Sequence, residues 1–345
     1  MRPKPASHGS AFNIPVPKFQ KALAKWYKAN ARDLPWRNTA APYAIWISEI
    51  MLQQTRVAAV IPYYHRFLEQ FPTVAELAAV SEPELLAAWS GLGYYSRARN
   101  VQKAARQIVE LGGFPSNYKQ IRELSGIGDY TAASVSSIAF GLPYAAVDGN
   151  VIRVTSRMVA ETGDVASVEV RQALVDVAGK LMDRGNPGLH NQAMMELGAT
   201  VCLPRQPQCH LCPVETMCQA KALGIERELP FKPKKMEIFR KQRTLLLVEM
   251  DGKVLCWQQP ADAKKMAGFW ELPELEHLPD VVLGESAGEF RHSITNHIYH
   301  FRVFRAKTGR ISDRFQWLDE EQLKNFPMST TSRKALRLFT LVTYR

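Results

Sequence analysis

Apolar positions recur at helical spacing through the first two-thirds of the chain. Val101, Ala104, Ala105 and Ile108 keep the i, i+3, i+4, i+7 rhythm of one buried helical face. Between Ile45 and Thr55 apolar residues fill most sides of another helix, and Glu49 is the lone acid among them. Turn signals interrupt the pattern at Gly91-Leu92-Gly93, Gly112-Gly113, Gly126-Ile127-Gly128 and Asn186-Pro187-Gly188. No convincing strand rhythm precedes Cys202, so the stretch from Val16 to about Ala222 reads as helices.

The pattern then changes. Residues 224–242 combine glycine, two prolines and many charges, which is a linker composition. Thr244 to Val248 is strand-like, Asp251-Gly252 marks a hairpin turn, and Val254 to Trp257 returns. A further strand fits Ile298 to Arg305, and a helix fits Ser332 to Leu341. The chain thus divides into a basic tail (1–15), a mainly α domain (16–223), a linker (224–242) and a mixed α/β domain (243–345), with no internal repeat or low-complexity tract.

Composition agrees with this division. A chain of 345 residues, 46% hydrophobic and 22% charged, suits a soluble protein of about two domains with ample core. The net charge of +11 points to a polyanion partner, nucleic acid before membrane, although a merely basic enzyme shares that property. The charge is uneven: Arg2, Lys4, Lys18, Lys21, Lys25, Lys28, Arg32 and Arg37 face only Asp33 among the first 40 residues. A second basic stretch runs through Lys232, Lys234, Lys235, Arg240, Lys241 and Arg243. Met1 to Val16 lacks the apolar core of a signal peptide, and no run approaches the length of a membrane-spanning helix. The expected setting is the reducing cytoplasm.

Four cysteines, Cys202, Cys209, Cys212 and Cys218, form a C-x6-C-x2-C-x5-C pattern. Four such thiolates suit a tetrahedral zinc or a cubane iron–sulfur cluster. Zinc ribbons more often use two C-x2-C knuckles, and the single knuckle with a wide first gap favours the cluster. Disulfides fit poorly in a chain with no secretory features.

Other candidates carry both a chemical and a plain reading. The segment Leu124 to Ala132 holds Gly126 and Gly128 between two helical patterns. A tight turn there, followed by the free N–H groups of a helix start, can grip a phosphate without reading sequence. It can equally be an ordinary helix junction. Asp148, before Gly149-Asn150, is by default a turn or helix cap. Beyond a phosphate-gripping hairpin, its carboxylate can instead stabilise positive charge at a sugar C1′. Glu49, if desolvated, keeps its proton and can act as a general acid; the plain alternative is an exposed glutamate paired with Arg56. Gly91 to Asn100 is an aromatic, basic loop whose tyrosines can wedge into a base stack and whose arginines can hold phosphates. A buried tyrosine pair is the plain reading there. Gln54 is a candidate to fill the space left by an extruded base.

Together and in this order, these segments resemble the MutY-type adenine DNA glycosylases of the helix-hairpin-helix superfamily. The matching segments are Leu34 to Arg37, Ser48-Glu49 through Gln53-Gln54-Thr55, Gly91 to Asn100, Val147 to Val154 and Asn191 to Gly198. The resemblance implies a helix-hairpin-helix glycosylase domain with a cluster loop at 202–218, followed by a Nudix-like domain that reads 8-oxoguanine. It implies removal of adenine mispaired with 8-oxoguanine or guanine in duplex DNA by a monomer. Glu49 would protonate adenine at N7, and Asp148 would stabilise the oxocarbenium-like sugar, with Tyr130 and Asn150 in support. Arg32, Trp36, Arg37 and Glu196 would line the adenine pocket, while Gln54, Leu92 and Tyr94 would enter the duplex. The cysteines would hold a [4Fe–4S] cluster that orders a DNA-binding loop.

Endonuclease III-type relatives carry a strand-cutting lysine in the hairpin where this chain has Tyr130. A phenol forms no Schiff base, so a monofunctional glycosylase is expected. Gly268 to Pro273 matches a segment of the Nudix-like domain, but no acidic metal-binding helix follows it. The family's Phe-Ser-His contact to 8-oxoguanine is replaced by Ile294-Thr295-Asn296-His297, so Thr295, Asn296 and His297 are the candidates there. His292, His297 and His300 are too irregularly spaced for a metal site and read as polar strand residues. Cys256 reads as a small core residue.

Overall fold

A computed structural model describes residues 12–233, 237–260, 262–263, 266–294, 296–309 and 311–338. Most of the expected basic tail, Lys234, Lys235, Thr295 and the expected end of the last helix lie outside the described residues. The chain forms two compact units, as far as their residues are described. One comprises Met1–Tyr64, Thr73–Ala75 and Lys103–Lys235; the other comprises His65–Pro72, Glu76–Gln102 and Met236–Arg345.

The helices run in order α1 Val16–Asn30, α2 Pro42–Leu52, α3 Val57–Gln70, α4 Val74–Ala79, α5 Glu82–Trp89 and α6 Ser96–Glu110. They continue with α7 Tyr118–Glu123, α8 Asp129–Phe140, α9 Gly149–Met158, α10 Val168–Leu181, α11 Pro187–Thr200 and α12 Gln219–Leu223. Among the described residues no strand precedes Phe239. The predicted face of α6 is buried: Val101, Ala104, Ala105 and Ile108 are at most 2% exposed.

Helix α2 packs against α8 in the first unit. Pro42 starts it with a fixed φ and no orphan N–H, and every residue from Ala44 to Met51 is buried. Burial of Ile45, Ile47 and Met51 contributes roughly 1.5–3 kcal/mol each. That sum outweighs the cost of burying one neutral carboxyl, about 1–3 kcal/mol, so the helix can carry Glu49 inside. Helix α11 crosses α9 closely because position 198 is glycine. A Cβ there would stand 2.6 Å from the Cβ of Asn150.

In the second unit β1 Phe239–Met250, β2 Lys253–Gln258, β3 Trp270–Glu271, β4 Val282–Ile294, β5 His297–Lys307 and β6 Phe315–Leu318 form one sheet, followed by α13 Glu320–Asn325 and α14 Thr330–Arg337. The strand order is β3-β2-β1-β5-β4, with β6 on β2. The predicted hairpin is present: Asp251 and Gly252 both take positive φ, and Met250 pairs with Lys253. Strand β1 runs parallel to β5 from Phe239↔His297 to Val248↔Ala306. Cys256 is fully buried in this core, and burial pushes its thiol up. Helix α5 and the loop after it pack in this unit, with the Tyr95 and Phe269 rings 3.9 Å apart and Arg333 Nε donating to Ser90 Oγ at 3.0 Å.

Candidate active site

A cleft of about 690 Å³ opens in the first unit. Helix α2 lines it with Ile45, Ser48, Glu49 and Leu52, and α11 lines it with Gln192, Met195, Glu196 and Ala199, each at i, i+3, i+4, i+7 spacing. Arg32, Trp36, Arg37, Gln54, Tyr130, Asp148 and Asn150 complete its candidate chemistry. A cleft of this size is in the range of small-ligand pockets.

Glu49 is 5% exposed, and its Oε2 has no hydrogen-bond partner within the protein. Burial raises its pKa; nearby Tyr130 and Ser134 pull it back, and the charge of Asp148 raises it further. The exposed alternative, with Arg56 as partner, does not occur: the carboxyl faces the cleft. Tyr130 hydroxyl stands 3.1 Å from Met195 Sδ, and burial together with Glu49 and Asp148 holds its pKa well above 10.0. It is therefore a neutral phenol.

Asp148 is the N-cap of α9. Its Oδ1 accepts from the backbone N–H of Asn150 at 2.9 Å and of Val151 at 2.8 Å. Its Oδ2 accepts from Asn150 Nδ2 at 2.7 Å. Asn150 Oδ1 in turn accepts from Arg153 Nη2 at 2.8 Å, and Arg153 Nε donates to the carbonyl of Cys202 at 2.7 Å. Asp148 is thus a helix cap that also lines the cleft.

Glu196 has a wholly inaccessible side chain, held by Arg32 Nη2 and Arg37 Nη2 at 2.7 Å each. Arg32 Nε adds a bond to Oε1 at 2.7 Å, giving a bidentate fork. Burial alone would raise the Glu196 pKa; the two arginines outweigh it and hold it at about 2. Glu196→Gln is expected to cost about 2–3 kcal/mol in urea denaturation, below the fully buried case because Arg32 is 39% exposed. The folded-state pKa is depressed, so this stabilisation is complete above the ordinary value of 4.5 and is lost as pH falls through about 2. The difference between parent and variant should accordingly shrink on acidification from neutrality; a gap that holds constant would contradict the ionic account.

Between α7 and α8, Gly126 takes φ 76° and Gly128 is the N-cap of α8 with no side-chain cap. The space where a side chain would stand at Gly128 is open. Arg122 braces the turn by donating to Ile127 O at 2.9 Å and Asp129 Oδ1 at 2.6 Å. The first N–H groups of α8 therefore have no side-chain cap.

The second unit holds a cavity of about 500 Å³ lined by Leu92, Tyr94, Tyr95, Arg243, Glu271 and His292 among others. Tyr94 is 42% exposed and Leu92 only 6%. Gln54 and Tyr94 both take the left-handed conformation, with φ 57° and 49°, a strained state for residues other than glycine. Arg97 and Arg99, expected as phosphate ligands, hold the loop instead. Arg97 Nη2 donates to Leu92 O and Gly93 O at 3.1 Å, and Arg99 binds Glu82 and the carbonyl of Ala267. At the β4–β5 turn, His297 Nδ1 lies 2.9 Å from Asn296 Oδ1 and its ring stacks on Phe239. His292 and His300 line opposite faces of the sheet, and among the described residues no three His, Cys, Asp or Glu converge on one ion.

Cys202, Cys209, Cys212 and Cys218 ring an apolar cavity with Val154, Leu197 and Val214. Among the described residues no group of three or more His, Cys, Asp or Glu is arranged to hold a single metal ion. Arg157 Nη1 lies 3.1 Å from Cys202 Sγ, a positive partner for thiolate charge. Four thiols around one cavity match the donor set of a thiolate-bound metal centre.

Sequence reasoning missed Gln192, Met195 and Arg171 in the cleft. Gln192 accepts from Tyr27 hydroxyl at 2.6 Å. The helical spacing of Gln192, Met195, Glu196 and Ala199 was the available signal; Arg171 gave none.

A family model described as the HhH-GPD superfamily base excision DNA repair protein matches residues 47–179. The adenine DNA glycosylase of Mus musculus is 35% identical over 403 residues, covering 94% of this chain and 78% of that protein. The Homo sapiens enzyme is 47% identical over 217 residues, covering 60% of this chain and 40% of that protein. The Arabidopsis thaliana enzyme is 33% identical over 333 residues, with 84% and 51% covered. A solved thermostable thymine-DNA glycosylase superposes with TM-score 0.54 at 28% identity, covering 60% of this chain and 97% of that one. An endonuclease III–DNA complex, at TM-score 0.51 and 24% identity over 61% of this chain and 99% of that one, shares the fold. The likeness to the mouse protein extends over most of both sequences, and this chain belongs to the adenine DNA glycosylase family within the HhH-GPD superfamily.

Proposed function

We propose that the chain removes adenine opposite 8-oxoguanine or guanine in duplex DNA by hydrolysing the N-glycosidic bond of the everted nucleotide. The observation that carries this reading is the meeting of Glu49 and Asp148 in one cleft, with Glu49 desolvated and one of its oxygens unpartnered. A buried carboxyl that keeps its proton donates it to adenine N7, making the base a better leaving group. Asp148, hydrogen-bonded by the N–H groups of α9 and by Asn150 Nδ2, faces the positive charge that develops at C1′ as the bond breaks. The Arg32–Glu196–Arg37 fork fixes the far wall of the adenine pocket beside Trp36. Eversion costs a few kcal/mol, least at a mispair.

Gly126 and Gly128 hold a phosphate of the adenine strand. Gln54, Leu92 and Tyr94 enter the duplex, and Asn296 and His297, with Thr295, read 8-oxoguanine. Cys202, Cys209, Cys212 and Cys218 hold a [4Fe–4S] cluster, which supplies cross-linking that orders the loop. The protein works as a monomer. The test is incubation with a duplex carrying adenine opposite 8-oxoguanine: release of free adenine is expected, and its absence rejects the reading.

Strand cutting should be weak or absent. No lysine lines the cleft among the described residues, and Tyr130 is a neutral phenol. Borohydride added during turnover is expected to trap less than about 1% of the enzyme on DNA, because an imine needs an amine nucleophile. Abundant trapped complex would assign a lyase step to this cleft.

A further inference from the structure

The sheet of the second unit has two unlike faces. One carries Phe301, Tyr299, His292 and Arg243 and lines the cavity already described. The other carries Arg240 on β1, Arg291 on β4 and His300 on β5, which with Lys241, Gln242 and Ile298 line a separate open groove. The register sets these residues in adjacent rows. Arg240 pairs with Ile298 and Ser293; Gln242 pairs with His300 and Arg291; Thr244 pairs with Arg302 and Glu289. Side chains two residues apart share a face, so Arg302 joins Arg240 and Arg291 on this one.

The charge here is one-sided. Glu289 is the single acid in these rows, and its Oε2 lies 3.1 Å from His300 Nε2. Among the described residues no carboxylate is within ion-pair distance of Arg240, Lys241, Arg291 or Arg302, and all four are exposed. Ordinary solvated strands mix signs or keep such arginines paired; a groove with arginines on three neighbouring strands and a single acid among them carries an excess of positive charge complementary to a polyanion. Adjacent strands lie about 4.8 Å apart and rows about 7 Å apart, so the cations span a surface wide enough to meet successive phosphates of one strand.

We propose that this face, built from Arg240, Arg291 and Arg302, is a second phosphate-binding surface for duplex DNA, separate from the hairpin and blind to sequence. It rests on the DNA-acting reading above. The surface adds affinity for undamaged duplex and leaves the chemistry of the cleft untouched.

The test uses the full chain and an undamaged duplex of about 30 base pairs, with binding measured across salt concentrations. Arg240→Gln/Arg291→Gln/Arg302→Gln is compared with a charge-matched control, Arg184→Gln/Lys253→Gln/Lys307→Gln. The first triple variant should lower the slope of log K against log salt by about 2–3 and weaken binding roughly 10- to 100-fold at low salt. The control should move the slope by less than about 1, and single-turnover adenine release at saturating enzyme should be unchanged in both. A slope equal to the parent's, or an equal fall in the control, overturns the proposal and turns the face toward an acidic protein surface. Failure of the unaltered chain to bind duplex removes the underlying reading as well, so the two failures are distinct.

Discussion

Glu49→Gln is expected to reduce adenine release by about a thousandfold or more while duplex affinity stays within a few-fold of the parent. Glutamine fills the same volume but has no acidic proton. The buried carboxyl sits where burial and Asp148 both favour the protonated form. The single-turnover rate of the parent should therefore fall as pH rises through the raised Glu49 pKa, and the variant should lose that limb. The sign for stability runs the same way. A carboxyl whose folded-state pKa is raised contributes most below its unfolded value and opposes folding as pH rises through the folded value. Glu49→Gln should accordingly leave the melting temperature equal or higher at pH 8, in contrast to Glu196→Gln. A variant that loses activity and stability together would place Glu49 among structural residues; a variant with the parent's rate would remove it from proton transfer.

Much of the cleft was legible because its chemistry violates local pattern. Glu49 interrupts an apolar helix, and a lone acid on such a helix has to be desolvated or exposed; the structure chose the former. Asp148 could be recognised as a cap from Asp-Gly-Asn alone, and its contacts are those of a cap. What sequence could not supply was that the same carboxylate reaches the cleft holding Glu49, since this depends on α2, α8, α9 and α11 crossing at one place. The Arg32–Glu196–Arg37 fork joins residues about 160 positions apart, and no local periodicity encodes such a pair.

The second unit was less legible. The turn at Asp251-Gly252 and the strands it joins were read correctly, because turn chemistry is local. Strand β4 was not anticipated. Val282 to Ile294 is an edge strand with mostly exposed or half-buried residues, two glycines and register shifts near Ser286, so it lacks a clean apolar alternation. It is a strand because β5 presents an unpaired edge. The loop arginines were misjudged for a related reason. A basic, aromatic loop suggests phosphate contacts, yet Arg97 lies over the Trp89 and Tyr94 rings and donates to the loop's own carbonyls. Burial lowers its pKa to about 10, but it remains charged at neutral pH and acts as an internal clamp.

Asp148→Asn separates the helix cap seen in the structure from the charge-stabilising role proposed for this residue. Asparagine caps a helix about as well as aspartate, so the bonds to the N–H groups of Asn150 and Val151 can persist. The other oxygen cannot be replaced so simply. Asn150 Nδ2 donates to Asp148 Oδ2, and a new amide NH2 there would set donor against donor. Turning the Asn150 amide over would relieve that conflict and create another, because its Oδ1 accepts from Arg153 Nη2. The row Asp148–Asn150–Arg153 is satisfied only with a pure acceptor at its head. The variant should lose about 1 kcal/mol of stability and melt a few degrees lower. Adenine release should fall by about a thousandfold or more, because an uncharged amide cannot offset positive charge at C1′. The two effects differ in size by enough to be read separately: a loss of 1 kcal/mol in folding leaves nearly all molecules folded at 25 °C, so the rate defect has to arise in the cleft. If adenine release by the folded variant matches the parent, Asp148 is a helix cap and nothing more, and the stabilising charge has to be sought elsewhere in the cleft.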